Sequence, residues 1–192
     1  MPDDASRRER LVDAALVVFA RHGVEGASIK DIGREAGVAP ALIYHYFPSK
    51  EALLAAAVDK HGFLPELRVV LTIPSREPAS EVLMSMARGL YERLSERIDL
   101  VRVVMTRSQT HPEMRARMAE LTGEAETLLA RYLRARVAAG ELRDHPAEVA
   151  ARTLLFTVVM WRLTDAPAEE LDAAIDVIVA GLSAVSPRLS RD

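Results

Sequence analysis

The chain is 192 residues long and carries 25 Lys and Arg against 28 Asp and Glu, for a net charge of −3, with no cysteine. The missing cysteines exclude disulfides, thiolate metal sites and cysteine nucleophiles, and the anionic balance excludes the clustered cations that coat nucleic acid without regard to sequence. The longest apolar stretch, Leu154 to Trp161 with Thr157 inside it, is far short of the roughly 20 residues that cross a bilayer, and the start Arg7, Arg8, Glu9, Arg10 lacks the apolar core of a secretory signal, so a cytoplasmic protein without membrane association is expected.

In chain order, Leu11, Ala15, Val18, Phe19 and His22 share one face of a first predicted helix. Ser6 with Glu9 predicts a capping box at its start, and Gly23 suits the left-handed residue past its end. Ser28 with Asp31 predicts the same box on a second, two-turn helix, whose buried stripe is Ile29, Ile32 and Ala36 and whose stop is Gly37. Pro40 presets the first turn of a third short helix over 41–47, because its missing N–H has no partner to lose there. Pro48 and Ser49 end it, and Lys50 and Glu51 begin a fourth, Ala-rich helix reaching about Gly62.

Beyond Pro65 and a loop from Pro74 to Pro78 the pattern changes to longer amphipathic helices, over Val82 to Leu94, Ile98 to Thr106 and Met114 to Tyr132. Gly140 breaks the chain before two more, Pro146 to Leu163 and Pro167 to Ala184, each opened by a proline. No alternating strand pattern or repeat interrupts this. The expected fold is all-α: a three-helix domain with a helix-turn-helix over 1–53, joined to a larger helical domain over 54–192.

Two short helices joined at a tight glycine, behind a supporting helix, is the arrangement that sets a recognition helix into the major groove. Gly37 permits the turn, Gly33 lets the helices approach, and Val38, Ile43 and Phe47 are positioned to pack between them. Enzyme chemistry finds no footing: there is no Gly-x-Ser-x-Gly elbow, phosphate-cradling glycine loop or His-Glu-x-x-His, and His22, His45, His61, His111 and His145 lie scattered without ligand spacing. No catalytic residue, metal or cofactor is expected.

The string from Ser28 to Leu53, with Tyr44 to Phe47 and Ser49-Lys-Glu-Ala-Leu53 in register, closely resembles the N-terminal motif of the TetR family over roughly residues 6–55. The resemblance implies a homodimeric repressor that grips double-stranded operator DNA and is released by a small apolar effector. It implies phosphate contacts for Ser28, Tyr44 and Lys50, places Ala39, Pro40, Ala41 and His45 toward base edges, and adds Lys30 and Tyr46 to the DNA-binding set. The chain departs from the usual pattern at Ala39, where a serine cap is common, at Gly33, where alanine is common, and at Leu42, where a small or hydroxylated residue is common. The first two departures cost about 1 kcal/mol each. Direct base readout is therefore expected to be thin, with specificity leaning on DNA shape and on Arg7, Arg8 or Arg10 as an arm.

The last two helices are apolar on more than one face, which requires cover on both sides. The resemblance implies that they pair with their copies, through Leu154, Val158, Ile175, Ile178, Val179 and Leu182. A supply of flexible and aromatic side chains, Met86, Leu90, Met105, Met118, Phe156, Met160 and Trp161, is the expected lining of an effector pocket, with Arg88, Arg102, Arg107 and Gln109 to orient a polar end. Control by a protein partner, or activation in place of repression, are the alternatives the sequence leaves open.

Overall fold

The structure, a computed structural model, describes residues 4–72 and 76–184; Pro74, expected in a loop, lies outside them. The described residues form ten helices and no strand, with one isolated bridge between Leu142 and Ser183. By their contacts they group into two units, one of residues up to 62 with Arg97–Glu120, the other of Phe63–Glu96 with the residues from Leu121 onward. This is a different division from a single cut between residues 53 and 54.

In the first unit, α1 runs Asp4–Gly26. It begins two residues before Ser6, so the expected box with Glu9 does not start it. Leu11, Val12, Ala14, Ala15, Val18 and Phe19 form its buried stripe, while His22, expected on that face, is exposed. Gly23 interrupts the helix in the left-handed region (φ 65°, ψ 170°), a conformation that favours glycine. α2 (Ile29–Ala36) starts at Ser28, whose Oγ accepts from the Asp31 amide at 3.1 Å, and ends at Gly37 with φ 68°. α3 (Pro40–Tyr46) follows, then α4 (Lys50–His61), which is capped by Ser49 Oγ accepting from the Ala52 amide at 3.0 Å. α1 packs on α2 and α4, and α7 (Ile98–Thr110) lies against α1. Leu11, Ile32, Ile43, Leu53 and Leu54 form a core that excludes solvent almost completely, joined by Val104 of α7 and by Met114 at the start of α8 (Pro112–Ala138).

In the second unit, α6 (Ala79–Glu96) packs on α9 (Ala147–Leu163) and α10 (Ala168–Leu182), which also pack on each other. Leu83, Leu129, Leu133, Leu154, Val158 and Ile175 are its fully buried centre. Glu141 ties two elements together: it accepts from Arg136 at 2.6 Å and from the Ala79 amide at 3.0 Å, so it caps the start of α6. A further helix, α5 (Leu64–Thr72), lies on α6 and was not expected from the sequence. Pro65 occupies its first turn, where proline opens a helix at no hydrogen-bond cost, rather than marking a loop.

Candidate nucleic-acid interface

α3 has only seven residues, too few to be helical in isolation, so its position is set by what it buries. Ile43 is its one buried residue, and Phe47, immediately after the helix and on the same face, is also buried, 2% exposed. The turn before it is tight. Gly37 donates back to the carbonyls of Arg34 and Gly33, the Val38 amide donates to Gly33 O at 2.8 Å, and a Cβ on Gly33 would stand 2.8 Å from the Val38 carbonyl. Glycine at 33 is therefore the residue that this close approach takes, which offsets its helix-propensity cost. Ala39 sits at the N-cap of α3 and supplies no side-chain bond.

With Ile43 and Phe47 turned inward, α3 presents Ala39, Pro40, Ala41, Tyr44 and His45 to solvent, and Tyr44 is 57% exposed. The His45 and Tyr46 rings meet edge to face at 5.1 Å. From α2, Lys30 is exposed and has no carboxylate partner among the described residues, leaving its ammonium available to an anion. Of these six exposed residues, Lys30, Tyr44 and His45 carry side-chain donors.

Three of the residues expected to touch DNA also have partners within the chain. Ser28 Oγ donates to Asp31 Oδ2 at 2.5 Å, so its proton is already committed; this hydrogen bond, reinforced by the Ser28 amide and Arg34, holds the Asp31 carboxyl below its ordinary range. Lys50 Nζ donates to the carbonyls of Ala27 at 3.2 Å and Glu25 at 3.5 Å, bracing the chain ahead of α2. The Tyr46 hydroxyl donates to Asp4, which raises that phenol's pKa. The arginines expected to form an arm are within α1, and the Arg8 guanidinium lies 4.9 Å from the centre of the Phe47 ring, a cation–π contact with the residue that ends α3.

The sequence singles out Arg107 but does not signal its burial or its carboxylate partners. Arg107 of α7, 8% exposed, pairs with Glu25 at the end of α1 and with Glu51 of α4 at 3.4 Å, and donates to His111 Nε2 at 3.1 Å. It was expected to orient a ligand; it clamps the first unit instead. Its carboxylate partners lie far away in sequence, and no local pattern announces them.

The expected pocket residues are divided between the two units. Met105 and Met118 belong to the first unit, where Met118 packs on the core. In the second unit, Met86 and Leu90 line a cleft between α5 and α6. Trp161 Nε1 donates to the Pro167 carbonyl at 2.9 Å and fastens the α9–α10 turn, whereas Phe156 and Met160 are about half exposed on α9. Arg88, expected to orient a ligand, forms a two-point pair with Asp172 at 2.9 and 2.7 Å. The residues expected at a dimer face are also placed differently. Leu154, Val158, Ile175, Val179 and Leu182 are buried in the chain's own core, because α6, α9 and α10 use them to pack together; Ile178 is half-buried. Among the described residues no group of His, Asp or Glu side chains is arranged to hold a metal, and no helix is long and apolar enough to cross a membrane.

Comparison with known proteins places these features in a wider set. A family model described as "Bacterial regulatory proteins, tetR family" matches residues 11–57, and one described as "AefR-like transcriptional repressor, C-terminal domain" matches residues 81–181. The HTH-type transcriptional regulator BetI of Agrobacterium fabrum is 34% identical over 155 residues, covering 76% of this chain and 68% of its own. Among solved structures, GusR of Salmonella enterica superposes with a TM-score of 0.81 at 22% identity, over 95% of this chain and 98% of its own. A SmeT–triclosan complex does so with 0.73 at 26% identity, over 92% and 91%.

Proposed function

The chain belongs to the TetR family of bacterial transcriptional regulators, not to a family of enzymes, and from that premise we propose that it is a repressor, released from a pseudo-palindromic operator by a small, largely apolar effector. DNA binding is assigned to residues 1–53, and effector binding and pairing to 54–192. The observation that carries the reading is the open row Ala39, Pro40, Ala41, Tyr44 and His45 on a helix anchored from behind by Ile43 and Phe47. Lys30 and Tyr44 contact phosphates. His45 is the side chain of the row with hydrogen-bonding reach to base edges, and the two alanines admit thymine methyls or close backbone approach. Ser28, Tyr46 and Lys50 support this surface from within.

A single copy of so small a surface binds weakly, and two copies spaced by about one DNA turn bind tightly. The homodimer forms through what α9 and α10 leave uncovered: Val149, Phe156 and Met160 recur at helical spacing on α9, and Val177 is 75% exposed on α10. An apolar effector is supported by the triclosan held in the SmeT structure. Selection of bound duplexes from random DNA tests the whole reading. The expected result is a two-fold symmetric consensus with half-sites about one helical turn apart; no enrichment at low salt overturns it.

A further inference from the structure

The two ends of α3 are held in different ways. At its start Ala39 supplies no side-chain bond, so nothing but backbone geometry caps the helix there. At its finish Tyr46 is the last helical residue and Phe47 the C-cap, and each is held by a different side chain of α1. The Tyr46 hydroxyl donates to Asp4, and the Arg8 guanidinium lies over the Phe47 ring, 4.9 Å from its centre. Asp4 and Arg8, at i and i+4, share one face of α1. Phe47 belongs to the core while Arg8 is exposed, so a solvated cation covers a ring that is otherwise packed inside. A phenol has a single proton, and Tyr46 gives its proton to a carboxylate; while that bond stands, none is left for a phosphate oxygen, which only accepts.

From this arrangement we infer that Asp4 and Arg8 are positioning residues for operator recognition, which fix the end of α3 through Tyr46 and Phe47 and so set how Tyr44 and His45 meet the duplex. The inference rests on the proposed operator binding and goes beyond it: Arg8 acts through Phe47, not as an arm laid on DNA. A helix of seven residues does not hold its own shape, so a tether at its end governs the direction of the side chains it presents.

The test is fluorescence anisotropy of the full chain with the selected operator and with a scrambled duplex of equal length, over a series of salt concentrations. Arg8→Ala and Tyr46→Phe are each expected to weaken operator binding about tenfold, because two chains each lose one modest contact. Binding of the scrambled duplex is expected to stay unchanged, a separation that a general loss of folding does not produce. The slope of log affinity against log salt is expected to be the same in Arg8→Ala as in the unaltered protein. Asp4→Ala removes a negative charge, which by charge alone strengthens DNA binding; positioning predicts the opposite sign, a weakening of about tenfold. Asp4→Asn keeps an oxygen acceptor for Tyr46 and is expected to restore the affinity, and Asp4→Ala added to Tyr46→Phe is expected to cost nothing further. A salt slope lowered by about one per bound chain in Arg8→Ala shows a direct phosphate contact and overturns the inference. Additive losses at Asp4 and Tyr46, or undiminished operator affinity in the single variants, overturn it too. Failure of the unaltered protein to prefer any operator sinks the regulator reading instead.

Discussion

Replacing Ile43 by alanine removes three carbons from a side chain that no solvent reaches. At about 0.8 kcal/mol per buried methylene the transfer loss is about 2.4 kcal/mol, and the cavity left behind adds to it, so a total of about 3 kcal/mol is expected within the range of about 2–5 for such changes. Ile43→Val removes one carbon and should cost about 1 kcal/mol, making the two losses stand near three to one. A domain with a stability of about 5–15 kcal/mol survives either change. The effect on DNA binding is larger than the effect on folding, because α3 is held by Ile43 and Phe47 and cannot stay helical when half of that anchor is gone. Urea unfolding followed by circular dichroism gives the stabilities, and fluorescence anisotropy with the selected operator gives the affinities. A loss below about 1 kcal/mol for Ile43→Ala, or undiminished operator affinity in a variant that has lost the expected stability, would refute the account of how α3 is positioned.

Four further outcomes are expected. Gly37→Ala places a Cβ in the left-handed region at φ 68°, so unfolding free energy should fall by about 1–2 kcal/mol; no loss in urea titration removes the strain argument. Burial holds the His61 imidazole below its ordinary value against the opposing hydrogen bond it donates to Asp13, so the unfolded chain takes up that proton first, and stability should decline as pH falls below about 6.5. His61→Asn should flatten that decline in unfolding measured between about pH 7 and 5, and an identical slope counts against it. Lys30→Ala should lower the slope of log affinity against log salt by about one per bound chain, and an unchanged slope means that Lys30 touches no phosphate. Phe156→Glu with Met160→Glu should yield monomers in sedimentation while helicity is retained; a persistent dimer moves the interface elsewhere.

What could be read from the sequence depended on the range of the interactions involved. The Ser28–Asp31 box and the left-handed Gly37 join neighbours within a few residues, and both appear where the residue types require them. α5 escaped notice because Pro65 is compatible with a loop and with a helix's first turn, and only packing on α6 decides between them. Periodicity marked α9 and α10 as apolar on several faces, but it does not say what covers each face: Leu154 and Val158 meet the chain's own core, while Phe156 and Met160 are left outside. Lys50 and Tyr46 match the motif and also bond to Ala27 and Asp4, partners whose proximity arises only in three dimensions. Arg107 bridges residues 56 and 82 positions away, beyond the reach of any local pattern.

The division of labour within α3 makes the protein retargetable. Ala39, Ala41, Tyr44 and His45 contribute almost nothing to the core, so they can be exchanged in combination to seek a new half-site while Pro40, Ile43 and Phe47 keep the scaffold unchanged. A library confined to those four positions should return mostly well-folded proteins, with altered preference arising from outward chemistry alone.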